Sequence, residues 1–183
     1  MLAQSIHSNR LLDKEDSHMG QRRVKLITGE CHTTNEILKH RHTLAPLLFN
    51  HRESSDFLLR LVDSKETEEF WVHDFLLVSQ SQLFSCLFRR CEKQSNSCTL
   101  ENSICSKILV TISTEDKDFK CIELNVPCVR TFANLLKWLY DHNDQAWLDT
   151  FTRDNFQNVL ENIAYLRLGM EAYDVCAEYY ETF

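Results

Sequence analysis

The stretch "FWVHDFLLVSQSQLF", residues 70–84, narrows the fold more than any other part of the chain. Phe70, Trp71 and Val72 are residues that favour a pleated strand. The apolar block from Phe75 to Val78 is long enough for about one buried helical turn. Asp74 stands at its door, where an acid stabilises the unpaired N–H groups and the positive end of the helix dipole. Ser79 or Ser81 can end that turn and cap the next helix. Leu83, Phe84, Leu87 and Phe88 then repeat at helical spacing, and Arg89 and Arg90 close the helix with the favoured sign. Within twenty residues a strand feeds two short helices, so strands and helices must share one core.

The rest of the chain extends this pattern. Residues 1–42 lack a sustained period and read as a poorly structured extension, with one short strand in "LITGECHTT". "TLAPLLFN" is a short apolar helix from Thr43, with Pro46 tolerable near its start. "DFLLRLVD" is apolar on both faces and reads as a strand buried on both faces; "FWVH" pairs with it across the polar turn "SKETEE". Residues 91–106 read as a loop. "KILVTIS" and "FKCIELN" flank an acidic turn and form a second hairpin. Pro127 opens a helix carrying Val129, Phe132, Ala133, Leu136, Leu139 and Tyr140 at 3–4 spacing. A further helix has Thr152 as cap and Phe156, Val159, Leu160 and Ile163 as its face, with Gly169 ending it. The last helix turns Val175, Cys176 and Tyr179 inward. Two strand clusters with helices between and after them predict an α+β domain over residues 43–183.

Composition removes several function classes. Three glycines in 183 residues cannot build a phosphate-cradling loop. The N-terminus has no signal-peptide core, and no apolar run approaches the roughly 18 residues of a membrane span. An intracellular protein of cytoplasm or nucleus is expected, with its eight cysteines as thiols; Cys86 and Cys176 sit in apolar stretches as small hydrophobes. Net charge is −7, split as +3 over residues 1–52 and −10 over residues 53–183. The acidic body is no partner for nucleic acid.

At this point the chain resembles the BTB/POZ family. The resemblance rests on Ser55-Asp56 before the first long strand, then on Val72-His73-Asp74-Phe75-Leu76-Leu77 followed by Ser81 and Phe84. It continues with Phe132, Leu135-Leu136 and Trp138-Leu139-Tyr140, and with paired helices in "NVLENIAYLRLGMEAYDVCAEYY". It covers about residues 43–183. It implies a helical cluster capped by a small mixed β-sheet, working as a protein–protein interaction module without catalysis or cofactor. It also implies homodimerisation, and for many members an adaptor role toward cullin-based ubiquitin ligases. On this reading Leu44, Leu47, Leu48 and Phe57 are dimer-interface candidates. Phe88, Leu100, Glu101, Tyr140, Asp141 and His142 are candidates for holding a partner such as a cullin N-terminal domain.

The chain departs from the family at Asp74. Members often carry Lys or Arg there, paired in zinc-finger-type members with the acid at the position of Asp56. Here two acids repel unless one is protonated or both are solvated, which argues against a corepressor-type groove. The cullin-binding pattern has a weak counterpart in Thr99-Leu100-Glu101. The chain ends directly after the last helix and has only 42 residues in front, so no substrate-holding domain is expected. An oligomerisation scaffold or truncated competitor without ligase role is the alternative.

Other constellations carry less. His73 at a strand–helix junction reads as structural, since no nucleophile and orienter flank it. Cys31, His32, His40 and His42 are ligand types zinc accepts, but their spacing matches no structural zinc pattern. Cys91, Cys98 and Cys105 are seven apart, which is also no ligand spacing. The acidic stretch 141–183, with nine Asp/Glu and two Arg, reads as a solvated surface.

Overall fold

A computed structural model describes residues 22–93, 106–113 and 118–181. The chain is α+β. Four strands form a mixed sheet in the order β4-β3-β6-β5. These are β3 (Phe57–Val62), β4 (Thr67–Val72), β5 (Ser106–Ser113) and β6 (Asp118–Asn125). Neighbours are antiparallel except β3 and β6, which run parallel with Leu59 beside Ile122. β3 lies inside the sheet, and Leu58, Leu59 and Leu61 are all buried, as a strand apolar on both faces requires.

The junction read from residues 70–84 forms as expected. β4 leads into α3 (Asp74–Leu77), and α4 follows (Gln82–Lys93). Ser81 caps α4, its Oγ accepting the Phe84 N–H at 3.2 Å and donating to the Leu166 carbonyl at 2.6 Å. Phe84 and Phe88 are buried, and Phe88 stacks on Phe57 at 4.6 Å between ring centres. Each such side chain removed from water contributes about 1.5–3 kcal/mol.

α5 (Val129–Asp141), α6 (Asp144–Leu148), α7 (Phe156–Leu166) and α8 (Met170–Tyr180) complete the helical cluster. Asp63 at the end of β3 joins sheet to cluster. Its carboxylate accepts the Val129 N–H at 2.8 Å and the N–H groups of Lys65 and Glu66. Those donors hold it below the usual carboxylate range.

Residues 22–42 correct the expected extension. β1 (Arg23–Lys25) and β2 (Cys31–Thr33) form an antiparallel hairpin, with Gly29 at φ 89° in the turn. α1 (Thr34–Lys39) follows, closed by a reciprocal capping box between Thr33 and Glu36. Val24, Leu26 and Ile37 belong to the main core. Burial of these three side chains is what orders a segment without long periodicity. α2 (Arg41–Leu44) and a 3-10 turn (Ala45–Leu48) with Pro46 in its first turn then lead toward β3.

Smaller corrections concern ends and surfaces. α7 ends on Arg167 in the left-handed conformation (φ 52°), and Gly169 instead begins α8. Asn155 is the N-cap of α7; Thr152 supports it by a reciprocal bond pair three residues apart. Cys86 is exposed, whereas Cys176 is buried. α4 runs to Lys93, into the expected loop. The remainder of that loop, with Cys98, Leu100, Glu101 and Cys105, lies outside the described residues, as do residues 1–21 of the expected extension. Among the described residues no helix is long and apolar enough to cross a membrane.

Candidate functional site

β4 ends at Val72, and His73 turns the chain into α3 with extended backbone. His73 is fully buried. Its backbone N–H donates to the Tyr140 hydroxyl at 3.0 Å, and its Nδ1 lies 3.1 Å from the same oxygen. Its Nε2 lies 2.9 Å from the Ser54 Oγ, which is 2.8 Å from His51 Nδ1. One proton arrangement satisfies the whole chain. Tyr140 donates to Nδ1, Nε2–H donates to Ser54, and Ser54 donates toward His51. His73 thus links the end of β4 to Tyr140 on α5 and to Ser54 through its two ring nitrogens. Burial raises the Tyr140 pKa well above its ordinary value.

Beside this chain lies a charged cluster. Asp56 precedes β3, and its Oδ2 accepts the Asp74 N–H at 3.1 Å, so Asp56 caps α3 from another element. Asp74 Oδ1 accepts the Phe75 N–H at 2.6 Å. The two carboxylates are 13% and 17% exposed. Arg22 forks between them, Nη2 bonding Asp56 and Nη1 reaching Asp74 at 3.3 Å. A cation from the N-terminal segment therefore stands against both acids and offsets part of the expected repulsion. Burial, and then the Asp56 charge, push the Asp74 carboxyl up to about 7. Burial works against the Arg22 charge, but the two carboxylates outweigh it and raise its pKa. The cluster ties the segment ahead of β1 and the lead into β3 to the start of α3. Nothing in sequence spacing pointed to Arg22, which lies 34 and 52 residues from its partners.

The interface candidates divide. Leu48 (0% exposed) and Phe57 (7%) face this chain's own core, because the 3-10 turn and β3 pack inward. Leu44 and Leu47 are half-buried. Beside them Ile27 is 67% exposed, and its N–H points to the Leu47 carbonyl at 3.4 Å. The partner-binding set divides too. Phe88 and Tyr140 are core residues, while Asp141 and His142 reach the surface in part. His142 stacks on Trp138 at 4.6 Å, and its Nε2 lies 2.7 Å from Gln80 Oε1. Ser81 and Phe84 also lie inside. Among the described residues, no group of three His, Cys, Asp or Glu could hold a metal ion. Cys31, His32, His40 and His42 are thus not assembled into a site; His32 lies between Glu30 and Glu36, and His42 against the Asp141 carbonyl.

No family model matches the chain, and no curated protein matches it. Among solved structures, the BTB domain of zebrafish PATZ1 is similar, with 15% sequence identity and a TM-score of 0.47. The match covers 83% of this chain and 97% of that one.

Proposed function

We propose that the chain is a protein–protein interaction module of BTB/POZ type that associates with a second copy of itself. The observation that supports this is the exposed Ile27, whose N–H meets the carbonyl of half-buried Leu47 in the 3-10 turn, with half-buried Leu44 just ahead of that turn. A side chain as apolar and as exposed as Ile27, next to half-buried leucines, gains by being covered. The resemblance to the family implies a self-association element at Leu44, Leu47 and Leu48, which supports this reading. Sedimentation velocity over a rising concentration series tests the reading with wild type, Ile27→Asp and Leu44→Asp. The wild type is expected to dimerise and both variants to remain monomers. A wild type that stays monomeric throughout ends the proposal. Leu48→Asp is unsuitable, because it buries a charge in the core and unfolds the chain.

An adaptor role toward a cullin-based ubiquitin ligase is the elaboration of this reading. A pull-down with a cullin N-terminal domain tests it. The burial of Phe88 and Tyr140 favours the second reading, a scaffold that only self-associates. Self-association with a blank pull-down is its expected signature.

A further inference from the structure

α8 divides lengthwise into three sectors. Ala172, Val175 and Cys176 are buried, and Tyr179 packs on Phe151 and Phe156. At about 100° per residue, Met170, Tyr173, Ala177 and Tyr180 fall within a second arc of about 80°. Met170 is 71% exposed and Tyr180 70%, more than any other large apolar side chain among the described residues. Ala177 is exposed and Tyr173 is half-buried. Glu171, Asp174, Glu178 and Glu181, all exposed, fill a third arc of about 80° beside the second.

The third sector breaks the local rules of helix stability. α8 carries no Lys or Arg. Its acids stand three or four residues apart, where like charges repel. Glu178 and Glu181 lie at the negative end of the helix, where a cation is favoured. Glu171 has company from other elements: its carboxylate is 4.0 Å from His142 Nδ1, and its charge acts on Arg41. Asp174, Glu178 and Glu181 form no ion pair among the described residues. A helix face that meets only water commonly mixes the two signs of charge. Here an uncovered apolar stripe and an uncompensated acidic stripe run side by side for about 16 Å. Covering both at once takes apolar side chains flanked by cations. A second copy of this face, set against it about a two-fold axis, would bring like charges together.

We propose that this face of α8 docks a basic amphipathic helix of another protein. Its apolar stripe lies on Met170, Tyr173 and Ala177, and its Lys or Arg side chains meet Asp174, Glu178 and Glu181. The proposal goes beyond self-association at Ile27 and does not depend on it.

The test uses the full chain and NMR titration with three acetylated, amidated peptides of about 18 residues, long enough to hold a helix. The first is an amphipathic helix of Leu, Ala and Lys. The second carries Glu at every Lys position. The third permutes the residues of the first so that no apolar stripe forms. The first probe is expected to shift the amides of residues 170–181 in a saturable way, and the other two to bind at least about tenfold more weakly. Asp174→Asn, Glu178→Gln and Glu181→Gln together should weaken the first probe about tenfold, the scale of three exposed ion pairs. The urea midpoint of this triple variant should hold or rise, because repelling charges have been removed. Met170→Ser, at an exposed position, should weaken the probe several-fold with the acids intact. Equal binding of the three probes, saturable shifts confined to other residues, or an unchanged affinity in the triple variant would each overturn the proposal. So would shifts at residues 170–181 on raising the protein concentration without a probe, which would mean that a second copy covers this face.

Discussion

Without Arg22, Asp56 and Asp74 would stand against each other, both mostly buried and with no cation between them. Arg22→Ala is therefore expected to lower the unfolding free energy by about 1–3 kcal/mol, through lost charge-assisted bonds and an uncompensated acid pair. Adding Asp74→Lys should restore most of that loss, since a lysine there can pair with Asp56 directly. Urea denaturation of the single and double variants checks both outcomes. The same pair sets a pH dependence. Burial and the Asp56 charge raise the folded-state value of Asp74 to about 7, above the unfolded carboxyl value of about 3.9. The folded chain thus holds this proton more tightly. The stabilisation is fully present below the unfolded value and is lost as pH rises through about 7. The urea midpoint of wild type should carry a downward component between about pH 4 and pH 7 and level off above it, and Asp74→Asn should remove it. The sequence exposed the conflict between Asp56 and Asp74. It could not expose the remedy, because an ion pair across 34 and 52 residues leaves no local pattern.

At the scale of elements, legibility followed the length of the repeating pattern. β3 was readable because six residues in a row, Phe57 to Val62, are mostly apolar. α5 was readable because its apolar positions persist for thirteen residues. β1 is only three residues long, too short for a period to stand out. Yet the run Arg23-Val24-Lys25-Leu26 alternates exposed and buried residues, and Thr33 to Glu36 has the spacing of a capping box. Those two signals mark the N-terminal hairpin and α1 as structure. Their consequence is measurable. Ile37 is fully buried in the main core, so Ile37→Ala should cost about 2–5 kcal/mol in chemical denaturation. A detached extension would give almost no change. End signals were less readable than faces. Arg167 takes the left-handed position that glycine usually fills, so Gly169 was free to start α8.

At the scale of the whole molecule, the α+β class was legible because strand-period and helix-period segments arrive in separate clusters. The sheet order was not, because pairing β3 with β6 is a choice among strands that look alike in sequence. That parallel pairing sets a timetable for synthesis. Leu58 and Leu59 find their neighbours Cys121 and Ile122 only after some sixty more residues have been made. At roughly 5–20 residues per second, the interval is about 3–12 s, far longer than the roughly 1–10 μs in which a hairpin closes. β3 and β4 can meet early, but one edge of the most apolar strand stays open until β6 leaves the ribosome. At each round of synthesis the most apolar strand thus spends seconds with one edge unpaired, the period in which that edge can pair with another chain instead.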